Sequence, residues 1–97
     1  MSATEYAAAK KAIAIALGNE LEVLIAEQGM QEADAATSLG WSKGKLQRSI
    51  AGHGKWTFGN MLDVADVFSD DAVEELTRLV GIADSARQRL IKVGVTK

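Results

Sequence analysis

The chain has no cysteine and no proline. Without thiols there is no disulfide framework, no thiolate nucleophile and no cysteine-ligated zinc finger, and a reduced cytoplasmic setting is the expectation. Without proline, no segment is barred from helix on covalent grounds. Aromatic residues are scarce, with two Trp, two Phe and one Tyr, so the core must be largely aliphatic. β-branched runs are missing while alanine is abundant, which tilts the chain towards helix. Long apolar runs are missing too. Ala12 to Leu17 is apolar, but a bilayer span needs about 20 such residues. The polar, acidic segment that follows gives no signal-peptide cleavage context, so no membrane role is expected. One absence is local and turns out to matter most: residues 35–62 hold no carboxylate.

What remains is ordinary globular material, 47% apolar and 25% charged over 97 residues, enough for one small domain. The net charge of −2 conceals a block pattern. Residues 1–34 carry two Lys against six carboxylates, and residues 63–84 carry Arg78 against seven. Between them stand Lys43, Lys45, Arg48 and Lys55, and after them Arg87, Arg89, Lys92 and Lys97. Local potential, rather than the total, attracts an anion at close range. An acidic total disfavours indiscriminate nucleic-acid binding but permits one docked basic face.

Apolar spacing and capping residues predict a series of helices and an all-α class. The first covers about 4–28, with Ile13, Leu17, Leu21, Leu24 and Ile25 in threes and fours; Gly18-Asn19 is a place where it can split. Gly29 ends it. A short helix is expected at 32–39, closed by Gly40, and another at about 43–51, with Ser42 as N-cap and Gly52 beyond its end. Thr57 can cap a helix over 58–68, with Phe58, Met61, Leu62, Ala65 and Phe68 on one side. Asp70 or Asp71 opens a helix to about Val80, striped by Val73, Leu76 and Leu79/Val80. A last, basic helix is expected at 85–93.

The two short helices and the glycine between them form a helix-turn-helix candidate. Ala35, Ala36 and Leu39 form the inward side of the first, and small Ala36 allows a close crossing. Trp41 fits as a wedge between helices. On the second helix Leu46 and Ile50 are one turn apart and face the core. At about 100° per residue, Arg48 then lies almost opposite them, flanked by Gly44 and Lys45, with Lys43 and Gln47 at the margin. The outward face is basic or small and has no acid to repel phosphate.

From Gly29 to Phe68, "GMQEADAATSLGWSKGKLQRSIAGHGKWTFGNMLDVADVF" resembles the Cro/lambda-repressor-type (Xre-like) helix-turn-helix family without a gap. The pieces that carry the resemblance are "AATSLGWS", "LQRSIAG" and "FGNMLDVADVF", and upstream "LEVLIAEQG" is similar to the family's first helix. The resemblance implies a compact five- to six-helix bundle of lambda-repressor-like type. Its core would span about 19–81, with 1–18 and 82–97 as helical extensions of a single domain. It also implies a transcriptional regulator, repressor-like and of prokaryotic or phage type, whose recognition helix at about 42–51 enters the major groove of double-stranded DNA. Position by position, Lys43, Gly44, Gln47 and Arg48 match places that face bases or nearby phosphates. Ser42 matches a phosphate-facing cap, and His53 and Lys55 match a loop that touches the backbone. Arg48 or Lys43 can pair with guanine acceptors and Gln47 with adenine, while Lys45 and Lys55 add salt-dependent phosphate attraction. The chain departs from the pattern where Gln31-Glu32 stand for a common Thr-Gln, with Gln31 left to reach phosphate. It departs again at Ser49, usually apolar, and at Ile25, where a basic residue is common.

Other readings stand beside this one. Lys43, Lys45 and Arg48 can form an ordinary solvated helix face, and Trp41 is core wedge before base-stacking platform. Trp56 can pack under the fourth helix or rest on a sugar–phosphate edge. His53, the single histidine, has no metal-ligand partners nearby in sequence, and no nucleophile arrangement surrounds Ser42 or Ser49. No enzyme, metal or cofactor is expected. DNA readers of this size commonly dimerise. The apolar positions Val73, Leu76, Leu79, Val80, Ile82, Leu90, Ile91 and Val93 either cover the core or form a homodimer interface, and the Tyr6, Ile13, Leu17 side is an alternative one. The basic tail from Arg87 to Lys97 contacts phosphate or merely solubilises the end. The rival class is a protein-interaction module, antitoxin-like or anti-repressor, which the acidic flanks and Glu32 favour. A nucleoid-associated protein fits poorly with so few basic residues.

Overall fold

The computed structural model describes residues 2–92, with side chains to Leu90. Ile91 and Val93 among the apolar candidates, and Lys92 and Lys97 in the basic tail, lie outside the described side chains. Five helices follow in order: α1 (Ala3–Glu27), α2 (Glu32–Leu39), α3 (Lys43–Ile50), α4 (Phe58–Phe68) and α5 (Ala72–Lys92). Among the described residues there is no strand, and no helix is long and apolar enough to cross a membrane.

Local chemistry sets the limits of α2, α3 and α4. Ser42 Oγ accepts from the Lys45 amide and Thr57 Oγ1 from the Asn60 amide, each at 3.1 Å. Each bond satisfies an amide that the first helical turn leaves without a partner. Gly40 ends α2 in the left-handed region at φ 72°, a conformation that costs an L-residue about 1–2 kcal/mol. Gln31, at the α2 N-cap, makes no side-chain cap bond, and Glu32 and Asp34 supply the negative charge that favours a helix start.

Two places where a helix was open to interruption are continuous. α1 continues through Gly18-Asn19. Gly18 is buried where the end of α3 crosses α1; a Cβ there would collide with the Ser49 carbonyl oxygen and lie 2.8 Å from that of Ile50. The glycine is a point of close approach, and the packing it permits outweighs a helix penalty of about 1 kcal/mol. α5 likewise runs through residues 81–84, so the described residues form five helices, the lower of the five to six expected. Asp84 lies on its exposed side and pairs along the helix with Arg87 at 3.0 Å and Gln88 at 2.8 Å.

α1 and α5 run antiparallel, with Glu20 beside Arg78 and Ala12, Ile15 and Ala16 beside Ala86 and Leu90. Arg78 bonds Glu75 through two nitrogens at 2.6 and 2.7 Å and Glu20 at 2.8 Å. The hydrogen bond to Glu75 is the main reason its guanidinium titrates above the ordinary arginine value. On this frame sit the three shorter helices. The core gathers Leu17, Leu21, Leu24 and Ile25 of α1, Ala35, Ala36 and Leu39 of α2, and Trp41, Leu46, Val64 and Leu79. The core therefore begins before residue 19, and Ala9, Ala14 and Ala86 of the expected extensions are buried as well.

Three helices also bury residues other than those expected. Ser49 is 2% exposed, while Ile50 is half-buried and packed against the core, so Ser49 joins the expected Leu46 and Ile50 on the inward side of α3. The crowding explains it: a Cβ on Gly54 would stand 3.0 Å from Ser49 Oγ, and Gly18 lies under the Ser49 carbonyl. A larger side chain would not fit. In α4 the inward residues are Val64 and Ala65, while Phe58 and Leu62 are exposed. In α5 Leu79 is buried, and Val73 and Val80 face outward.

Candidate nucleic-acid interface

α2 and α3, eight residues each, are joined by Gly40, Trp41 and Ser42. Trp41 is the wedge expected of it. Buried between helices, it donates through Nε1 to Asp63 Oδ2 of α4 at 3.0 Å and meets Trp56 edge-to-face with ring centroids 6.1 Å apart. With Leu46 it fixes how α3 sits on the core and hence which side of α3 faces out.

On that side Lys43, Gln47 and Arg48 are exposed. Arg48 folds back over Gly44, where a Cβ would lie 3.2 Å from its Nη1. None of the ion pairs among the described residues engages Lys43, Arg48 or Lys55, so these charges have no internal partner to leave. The first turn of α3 has no acid of its own, and the positive end of its dipole suits an anion. Ser42 uses its oxygen as a cap acceptor, which leaves its hydroxyl proton for a second partner.

Lys45 is placed differently from its neighbours. Its Nζ lies 3.0 Å from Asn60 Oδ1 and 4.6 Å from the centre of the Trp41 ring. Asn60 Nδ2 in turn donates to the Lys55 carbonyl at 2.8 Å. Lys45 thus braces α3 against α4 and the loop before it, and reaches a phosphate only by giving up those contacts. Asn60 and Asp63 were not legible as site-building residues. Asn60 follows Thr57 at cap spacing, but nothing local marks its side chain as the partner of Lys45.

The loop after α3 begins with Gly52 at φ 81°, and the amides of His53 and Gly54 donate to the Arg48 carbonyl at 2.9 and 3.1 Å. His53 and Lys55 are exposed on it. On the other flank, a groove of about 620 Å³ separates the start of α2 from α3; Gln31, Glu32 and Glu22 line one side and Lys43 and Gln47 the other. Of the sequence-derived site residues, Gln31, Lys43 and Gln47 line this groove together with Glu32, Arg48 is exposed further along α3, and His53 and Lys55 are exposed on the loop after it. Among the described residues no cluster of His, Asp and Glu is arranged to hold a metal ion. The chain matches no protein-family model, no curated protein and no solved structure.

Proposed function

We propose that the protein is a sequence-specific DNA-binding regulator of lambda-repressor-like type, with α3 as the recognition helix. The observation that carries the reading is the outward face of α3, where Lys43, Gln47 and Arg48 are exposed, without acid and without internal partners. Arg48 and Gln47 are the base readers, because a guanidinium pairs with guanine O6/N7 and a carboxamide with adenine N6/N7. Lys43, Ser42, His53, Lys55 and Gln31 hold the phosphates on either side. Two copies would place two such helices in successive major grooves, about 34 Å apart. Val73 (76% exposed), Val80, Phe58 and Leu62 are the apolar surface available for that pairing.

Selection from a randomised duplex pool tests the reading. An enriched sequence whose binding weakens in Arg48→Ala supports it; no enrichment at moderate salt overturns it. The second reading, a protein-interaction module, draws on Glu22 and Glu32 across the groove from Lys43, which suit a mixed-charge protein partner better than a phosphate. Salt separates the two, since phosphate contacts release counterions and an apolar interface does not.

A further inference from the structure

The N-terminal part of α1 runs past the end of α3 and alongside the loop 52–57. Between them is a cleft of about 580 Å³, within the range of small-molecule sites. α1 contributes Tyr6, Lys10 and Lys11, and the loop contributes His53, Lys55 and Trp56. The walls are mainly carbon, and no carboxylate lines the cleft, although the chain has more acidic than basic residues. Lys10 is held over the Tyr6 ring, with Nζ 5.3 Å from its centre. Neither it, Lys11 nor Lys55 belongs to an ion pair among the described residues. Three lysines and no carboxylate on the lining give the cleft a positive local potential that favours an anion. Trp56 adds an aromatic wall to the cleft.

We propose that this cleft binds a small amphiphilic anion, a flat apolar body carrying one carboxylate, sulfonate or phosphate. The ring packs against Trp56, Ile13 and Tyr6, and the anionic group meets Lys10, Lys11 and Lys55. A DNA backbone would satisfy the lysines but leave the apolar hollow unfilled, so a free small molecule is the better fit. The site extends the DNA-binding reading without depending on it. A ligand here touches the loop whose amides close α3 on the Arg48 carbonyl, and so acts on the end of the recognition helix.

The test uses the full chain, 15N-labelled, and its two indole Nε1 resonances, assigned with Trp56→Phe. 2-Naphthoate is titrated beside its neutral isostere 2-naphthamide, inorganic phosphate and a duplex DNA. The expected result is a saturable shift of the Trp56 indole and of amides 52–57 with naphthoate below about 1 mM, with Trp41 little moved. Naphthamide and inorganic phosphate each bind at least about tenfold more weakly, because each lacks one half of the recognition. Lys10→Ala/Lys55→Ala weakens naphthoate binding at least about tenfold at unchanged Tm, whereas Arg48→Ala leaves it unaltered. No saturable shift up to about 5 mM, or equal binding of naphthamide, overturns the proposal. So does a Lys10→Ala/Lys55→Ala variant that loses duplex affinity but keeps naphthoate, since the cleft is then a backbone contact. Loss of DNA binding in every assay with naphthoate still bound would sink the regulator reading alone.

Discussion

Gly18 and Gly81 are both interior glycines of long helices, and their surroundings give them opposite roles. At Gly18 an added methyl meets the carbonyl oxygens of Ser49 and Ile50; at Gly81 it meets nothing within 4 Å. Gly18→Ala is expected to cost about 1–3 kcal/mol by overpacking, which in a domain of this size lowers Tm by roughly 4–8 °C per kcal/mol. Gly81→Ala is expected to raise stability by about 0.5–1 kcal/mol, because alanine is the better helix residue and nothing opposes it. Denaturant unfolding of both variants checks the pair; an equal effect at the two sites would contradict the close crossing of α1 and α3. Trp41→Phe keeps most of the wedge but strands Asp63 Oδ2, with an expected loss of about 1–2 kcal/mol. The inward position of Ser49 was not legible in the sequence. Ser49 and Ile50 are both near one turn from Leu46 and both pack inward, and only the approach of Gly54 shows why the position at Ser49 takes a small side chain.

At the scale of elements, α1 and α5 decide the shape. α1 has 25 residues, about 37 Å at 1.5 Å per residue, nearly the full 42 Å length of the molecule. Its buried positions Ala14, Leu17, Gly18, Leu21, Leu24 and Ile25 follow the helical period, and on α5 Glu75, Leu79 and Ala86 stand four and seven residues apart, on one side of the helix. Arg78 ties the two helices. Glu20→Gln removes only a pair at the rim, worth less than about 1 kcal/mol and screened by salt. Arg78→Met costs more, about 1–3 kcal/mol, because it leaves the largely buried Glu75 carboxylate without its bidentate donor. Because the folded guanidinium titrates above its ordinary value, its contribution is complete at every pH below the ordinary arginine range and is lost only as pH rises through the folded value. Urea melts of the two variants in low and high salt measure the difference. The boundaries of α2, α3 and α4 were legible because Ser42, Thr57 and Gly40 act within one turn of their own chain. The continuity of α1 and α5 was not: Gly18-Asn19 left a split open, which the close crossing of α3 settles, and the α5 stripe was legible only to about Val80.

For the whole molecule the decisive experiment is DNA binding. Arg48→Ala is expected to cost about 1–3 kcal/mol and to relax preference at one base position. Lys55→Ala is expected to weaken all duplexes alike and to reduce the slope of log affinity against log salt by about 1. Fluorescence anisotropy across a salt series separates the two behaviours; a flat salt response in the unsubstituted protein favours the protein-partner reading. Sedimentation of Val73→Glu against the unsubstituted chain tests pairing through α5. A dimer unaffected by the substitution moves the interface elsewhere.

The sequence by itself determined the all-helical class, the two short helices with their glycine turn, Trp41 as the wedge and the acid-free basic segment. Each follows from propensity, capping or spacing within a few residues, where the chain is its own context. Tertiary structure decided the rest. It made Gly18 a contact instead of a break, set Lys45 against Asn60 and Trp41 while leaving Lys43 and Arg48 free, and brought Lys10 and Lys11 to the loop that carries His53, Lys55 and Trp56. Those residues are some forty positions apart along the chain. Only the packing of α1 across the end of α3 makes them neighbours, and no pattern of local propensity encodes that approach.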